Sequence, residues 1–358
     1  MSKHGIDLNG HNVYVDSFDS TDPTKSTEGR YDAAKKQPYG NVAFGVTLTN
    51  SIAGAGHANI YGYVFMGPGP AVSIGSGGSV GPSFSSPATN VSDAVSNGWI
   101  RSDCFLYVPD VGLPTGAASW SSLGSINNNM TINAGDYKVS GISLSGAKKL
   151  TLQGSVRLYV TGDVSTAGDA SIEISPGASL VLYAAGDVSI AGTGIVNNAG
   201  VARDNQLYGL PTSTSWQMSG TNQWIGFVWA PEASVTFDGT VEMSGAIIAS
   251  GISVGSSTVM FHYDESLNVR VCSGAAIDDA ISGIQFASND ILIRLPIAFF
   301  KSYAVEYRDD LTAGEWTTLA TTNTSSCTGE VVNVMDPGGA DRPQRFYRLR
   351  IHSQGFGF

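Results

Sequence analysis

The sequence is short of charge. Only 14% of its 358 residues are Asp, Glu, Lys or Arg, against about 25% in an ordinary globular chain. Solvent-facing helix positions want those residues, so their scarcity argues against a helical protein. No apolar run of about 18 residues occurs, so no helix is expected to span a membrane. The opening, Met1-Ser2-Lys3-His4-Gly5, has no apolar core of the kind a signal peptide carries. The chain therefore reads as cytosolic or as lacking a removed leader. Its Ser/Thr/Gly-rich, weakly charged composition favours the second reading, an extracellular or cell-surface location.

Cysteine is also scarce. Cys104, Cys272 and Cys327 are the only three. An odd number excludes a fully paired framework, and the wide spacing fits no zinc pattern. Either Cys272 and Cys327 pair, or all three are free thiols. Net positive charge is missing too. A formal charge of −11 repels phosphate backbones and argues against a nucleic-acid partner.

What the chain has in excess is glycine, 44 of 358 residues or about 12%, against roughly 7% on average. It also has an internal repeat. Leu158-Tyr159-Val160-Thr161-Gly162-Asp163-Val164-Ser165-Thr166-Ala167-Gly168 returns 24 residues later as Leu182-Tyr183-Ala184-Ala185-Gly186-Asp187-Val188-Ser189-Ile190-Ala191-Gly192, with eight of eleven positions identical. Looser copies lie at 139–146, 235–239 and 246–255. Inside each copy apolar residues alternate: Val156, Leu158 and Val160, then Leu180, Leu182 and Ala184 in the same phase. Period two means a strand with one face inward. A unit of this size cannot bury that face alone, but stacked copies can. The expected fold is all-β: a right-handed parallel β-helix (solenoid) over residues 1–270, followed by a small antiparallel β-sandwich. Leu158 and Leu182 are expected to stack inside the core.

Within the solenoid, residues 5–98 read as irregular early coils, with apolar runs at 42–48, 58–66 and 71–74. Residues 99–130, with Pro109 and Pro114, read as a long connection or lateral excursion. Residues 131–268 read as the regular coils, with an irregular insertion at 199–222. Composition changes near residue 273, and 271–282 reads as a linker. Six strand candidates then follow at 284–286, 290–295, 303–307, 316–321, 330–335 and 345–351. Turn signals such as Asp336-Pro337-Gly338-Gly339 separate them. Six short strands in about 70 residues fit a β-sandwich at 283–352, with Trp316 and Tyr347 expected to be largely buried.

Several segments resemble known families. Gly226-Phe227-Val228-Trp229-Ala230-Pro231-Glu232-Ala233-Ser234-Val235, Phe261-His262-Tyr263-Asp264-Glu265-Ser266-Leu267, the Gly-Asp-Val-Ser repeats and the opening Val15-Asp16-Ser17-Phe18-Asp19-Ser20 are similar to a solenoidal domain family attached to bacterial pilus-assembly-type envelope proteins. The resemblance covers residues 5–268. It implies an envelope location, a solenoidal fold and no established activity. The open ends of such a stack, with no amphipathic helix to cap them and little charge to repel a neighbour, point to self-association, as in a filament subunit, or to contact with other envelope proteins. The segments 303–311, with Trp316, and 343–349 resemble fibronectin-like sandwich modules of secreted bacterial proteins. The chain departs from pilins in lacking an apolar N-terminal helix.

The candidate chemistry is thin. Asp16, Asp19 and Asp22 recur at spacing three, with Asp32 beyond. Clustered loop carboxylates can hold Ca²⁺, which takes six to eight oxygens, although no EF-hand spacing is present. Asp163 and Asp187 occupy equivalent repeat positions and would sit one rung apart, about 4.8 Å. Such like charges need compensation, either from backbone N–H groups at the adjacent turn or from a shared cation. Tyr159 and Tyr183 would stack on the outer face, as a sheet-stabilising ladder or as a platform for surface polysaccharide. Hydrolysis of polysaccharide needs two carboxylates about 5–9.5 Å apart in a cleft. Between residues 139 and 255 there is no His, and the only basic residues are Lys148, Lys149, Arg157 and Arg203. No compact acid/base cluster stands out. His262 is the most suggestive histidine, and closing the last coil through hydrogen bonds is its blander role. The reading is a non-enzymatic structural or adhesive surface protein, without a cofactor unless Ca²⁺ binds.

Overall fold

A computed structural model of the chain describes residues 1–8, 12–45, 58–66, 78–82, 95–101, 108–220, 223–255, 258–267, 281–296, 301–312, 314–323 and 331–353. The three cysteines, the apolar run 71–74 and most of the linker 271–282 lie outside the described residues. The chain divides into two compact units, Met1–Ser102 with Leu106–Val269, and the remainder. Among the described residues there is no α-helix, only strands and short 3-10 turns.

The first unit holds β1 (Ser2–Asp7), β2 (Asn12–Phe18), β3 (Val42–Phe44), β4 (Asn59–Tyr61), β5 (Val64–Met66), β6 (Ser79–Gly81) and β7 (Ile100–Arg101). Then come β8 (Ser121–Ile126), β9 (Met130–Ser145), β10 (Lys149–Val160), β11 (Val164–Ala167), β12 (Ser171–Ile174), β13 (Ser179–Ala184) and β14 (Val188–Ile190). The unit closes with β15 (Gly194–Asn197), β16 (Asn205–Gly209), β17 (Ser215–Gly220), β18 (Gln223–Gly239), β19 (Val241–Val254) and β20 (Thr258–Asp264). These 20 strands form one hydrogen-bonded sheet.

The pairings between these strands are parallel, and the 24-residue repeat becomes one rung of the stack. Leu158 faces Leu182 in register, Leu182 faces Leu207, Leu207 faces Val228, and Val228 faces Ile247. All five are buried. The alternate residues point to the other face, so Tyr159, Tyr183, Tyr208 and Trp229 form a second column on the opposite side of the same strands. Removing one buried leucine of this kind typically costs about 2–5 kcal/mol.

The order of the rungs in space departs from the order in the chain. Residues 5–98 read as the earliest coils, yet the strands described among them pair beyond β19 and β20. β1 pairs with β19 (Gly5 with Gly251, Ile6 with Ile252), and β2 pairs with β20 along Asn12–Phe18. The stack therefore runs from β8 upward to β19 and β20, then continues into β1 and β2, and on through β3 to β7. The neighbour of β19 is composite: Val241–Gly245 pairs with β20, and the stretch from Ala249 to Ser253 pairs with β1. The connection from β7 to β8 must return along the whole stack. The row β7, β5, β3, β1, β19, β18, β16, β13, β10, β9, β8 contains ten steps, or about 48 Å at ~4.8 Å each. Nineteen residues separate Arg101 from Ser121 in the sequence, and a fully extended chain of that length reaches about 65 Å.

The described part of that strap, residues 108–120, lies on the outer aromatic column. Val108 packs with Tyr208, Phe227, Trp229 and Ile248 in a cluster separate from the core. The Trp229 indole N–H donates to the Pro109 carbonyl at 3.1 Å. Lys3 bridges Asp110 and Glu232, tying β1, the strap and β18 together.

The second unit holds β21 (Gly283–Ala287), β22 (Asp290–Pro296), β23 (Lys301–Arg308), β24 (Thr317–Asn323), β25 (Val331–Asp336) and β26 (Phe346–Ser353). They form two three-stranded antiparallel sheets, β21-β22-β25 and β24-β23-β26. One apolar cluster draws on both: Ile291, Ile293, Leu295 and Val334 from the first, Tyr303 and Val305 from the second. Trp316 and Tyr347 are only half-buried, against expectation. Trp316 lies between the guanidinium groups of Arg308 and Arg348, 4.8 and 4.3 Å from its ring centre, so charged stems cover it instead of the core. Tyr303 fills the interior place and is fully buried.

Candidate functional site

The densest group of buried polar side chains lies where the two ends of the stack-forming sequence meet. Parallel pairing of β2 with β20 sets Asp16 opposite His262, Ser17 opposite Tyr263, and Phe18 opposite Asp264. The two family-like segments, 246 residues apart, are thus adjacent strands. Their alternation is unlike that of the regular rungs, because Asp16, Ser17, His262 and Asp264 are all buried.

His262 Nδ1 lies 2.5 Å from Asp16 Oδ1. The other Asp16 oxygen accepts from the Tyr31 hydroxyl at 2.7 Å. The loop between β2 and β3 carries Tyr31 over the imidazole, with ring centres 3.5 Å apart and planes at 13°. Phe18 meets Tyr31 edge-on at 5.8 Å. Burial, and then the hydrogen bond to Asp16, push the Tyr31 hydroxyl well above its ordinary pKa. His262 Nε2 makes no hydrogen bond, and Glu242 Oε1 lies 3.7 Å from it. Gly40 is required alongside, since a Cβ there would fall 2.5 Å from the Asp16 Cα.

Two further groups extend the network. Asp264 Oδ1 accepts the backbone N–H groups of Ser20 and Ser266, both at 3.1 Å. The Ser17 hydroxyl lies 2.8 Å from Glu265 Oε1 and accepts the Tyr39 N–H at 3.0 Å. Lys25 pairs with Glu265 at 3.1 Å, and this contact raises the lysine pKa.

The acids proposed for Ca²⁺ separate. Asp16 turns into the junction. Asp19 accepts the Thr21 N–H at 2.9 Å and its hydroxyl at 2.6 Å; Asp22 does the same with Thr24, at 2.8 and 2.6 Å. The Thr24 bonds lower the Asp22 pKa. Asp32 caps a 3-10 turn through the Ala34 N–H. Among the described residues no three His, Cys, Asp or Glu groups gather as a metal ion would require.

Asp163 and Asp187 do stack, and backbone amides meet them. Asp163 Oδ1 accepts the Asp187 N–H at 2.9 Å, and Asp187 Oδ1 accepts the Ser215 and Thr214 N–H groups at 3.0 and 3.3 Å. The glycine of the repeated Gly-Asp pair is explained by this ladder: a Cβ on Gly186 would lie 2.4 Å from Asp163 Oδ1.

On the aromatic column Tyr183 and Tyr208 stack at 5.3 Å, and Trp120 meets Tyr183 edge-on at 6.4 Å. Arg157 lies over the Trp120 ring and pairs with Asp136 through two nitrogens. The strap covers the column near Trp229, whereas Tyr159, Tyr183 and Trp120 remain half-exposed.

Residues 88–269 match a protein family described as Domain of unknown function (DUF7305). The chain belongs to that family. No curated protein and no solved structure matches it. The family domain contains the strap, β8 to β20, His262 and Glu242, but it begins after Asp16 and Tyr31. Half of the polar junction is therefore supplied from outside the family domain.

His262 was visible in the sequence as the suggestive histidine. Tyr31, Glu242 and the Lys25–Glu265 pair were not, because their roles depend on a strand pairing that no local pattern encodes. The shared signal was a run of polar residues, Asp16-Ser17 and His262-Tyr263-Asp264, inside segments that otherwise alternate as strands.

Proposed function

We propose that this chain is a non-catalytic structural or adhesive protein of the bacterial cell surface, associated with pilus-type assemblies. Its first unit serves as a right-handed parallel β-helix and its second as a fibronectin-like module. Right-handedness follows from the general rule for crossovers between parallel strands. The observation that carries the reading is the fate of the buried ionisable groups. Asp16 and His262 hold each other, Asp264 caps backbone amides, and Glu265 holds Lys25. Among the described residues these groups stitch strands and turns together. Surface proteolysis of intact source cells tests location: removal of the protein from the outside supports the reading, and its confinement to the cytosolic fraction overturns it.

A second reading has its own observation. Trp120, Tyr159 and Tyr183 gather at one face beside Arg157 and Asp136, as a saccharide-binding surface requires: flat apolar rings flanked by hydrogen-bonding charges. Binding to a panel of surface polysaccharides that Trp120→Ala weakens would favour it; unchanged binding would not.

A further inference from the structure

The junction between β2 and β20 has a property that the other rungs lack. Every other rung from β8 to β20 joins its neighbour through a few residues of chain. Here the neighbours are joined only by way of the connection from β7 to β8, two strands that lie ten strand steps apart. Backbone pairing of Asn12–Phe18 with Thr258–Asp264 does not depend on both strands belonging to one molecule. The same holds for Asp16 with His262, Ser17 with Glu265, Lys25 with Glu265, and Ser20 with Asp264.

We propose that this junction is also the contact by which copies of the chain join head to tail, with β1 and β2 of one copy seated on the β19–β20 edge of the next. The partner is a second copy of this chain. Three observations select it. First, the acceptor edge is self-complementary to a segment that every copy carries. Second, the exchange relieves the order of the strands: β7 and β8 of one copy need no longer lie the ten strand steps apart that separate them within one molecule. Third, the buried polar set makes the edge selective. A strand that brings no carboxylate opposite His262 leaves the imidazole Nδ1 buried without its hydrogen-bond partner, which disfavours other strands. Exchanging an identical element between protomers makes few new demands on the fold.

Concentration decides between the two forms. Within one chain the strap holds β2 near β20 at an effective concentration of about millimolar order. The closed form then dominates in dilute solution, and the joined form grows as chains are concentrated. The inference rests on the structural reading above, but its test reads the contact itself, wherever the protein acts.

The test uses the full chain with Cys104, Cys272 and Cys327 replaced by serine. Tyr14 and Met260 are opposed in register on β2 and β20. Chains carrying only Tyr14→Cys are mixed with chains carrying only Met260→Cys, concentrated, oxidised and separated under denaturing conditions. The expected product is a covalent heterodimer whose yield rises with concentration. A chain carrying both substitutions should close on itself in dilute solution. If it does so while the mixture yields no heterodimer at the highest soluble concentration, exchange is excluded. If the double variant does not close, the junction itself is misplaced and the proposal falls with it. Light scattering on the unsubstituted chain guards against variants that misfold: a monomer at every concentration also overturns the proposal.

Discussion

The regular rungs and the junction solve the same stacking problem with opposite chemistry. Between β10, β13 and β16 the contact is Leu158 on Leu182 on Leu207, with apolar neighbours on either side. Between β20 and β2 the contact includes Asp16 against His262, beside a buried Ser17 and Asp264. Apolar rungs gain stability in proportion to buried area but discriminate little, since one leucine rung fits another. A buried polar pair gains less and tolerates fewer partners. The repeated part of the stack is therefore built for strength, and the junction for identity.

The sharpest way to break that contrast is to put a charge into an apolar rung. Leu182→Asp should abolish cooperative folding of the first unit, at a cost of several kcal/mol, comparable with the whole net stability of a domain. Circular dichroism melts would show it, and a melt like that of the parent would refute the stacked core.

At the junction, Asp16→Ala leaves His262 buried without its acceptor. Removing one partner of a buried pair costs about 3–5 kcal/mol. Hydrogen exchange should rise in 12–18 and 258–264 and stay unchanged in 149–184. Uniform loss of protection across the stack would show that the junction is no separate element.

Alkaline pH sharpens the same point. The Tyr31 hydroxyl must keep its proton to donate to Asp16, and burial together with that hydrogen bond raises its pKa above the ordinary tyrosine value. A group with a raised folded pKa contributes stability that is complete below its unfolded pKa. That contribution falls as pH climbs above about 10, where the unfolded chain ionises first. Tyr31→Phe should flatten this alkaline loss. Equal loss in both proteins would remove Tyr31 from the account.

Smaller effects are expected from the turns. Gly186→Ala places a methyl group against the Asp163 carboxylate and the Gly162 backbone. It should cost about 1–3 kcal/mol, as overpacking does. Addition of Ca²⁺ should leave the melting temperature unchanged, because Asp19 and Asp22 are occupied by their own turns; a rise abolished by Asp19→Asn would restore the metal reading.

Much of this was legible from residues alone. The period-two alternation and the 24-residue repeat located Leu158 and Leu182, because both patterns are local consequences of a strand with one buried face. The strands of the second unit were legible for the same reason and lie close to the spans read from turn residues. The order of the rungs was not. Nothing in Val15-Asp16-Ser17-Phe18 states that its neighbour is Phe261-His262-Tyr263-Asp264, since pairing partners 246 residues apart leave no periodic trace. Trp316 misled for another reason: a large aromatic suggests a core, but two guanidinium groups can cover it equally well.

The placement of β1 to β7 beyond β19 and β20, and not below β8, is the central claim, and one distance decides it. Spin labels at Arg101→Cys and Ser122→Cys, in a dilute full-length chain whose own cysteines are serine, report the separation of β7 from β8. The account predicts a distance on the order of 50 Å, ten rungs at ~4.8 Å each. A separation of only one or two rungs, about 5–10 Å between the backbones, would mean that the coils follow chain order within one molecule and would contradict it.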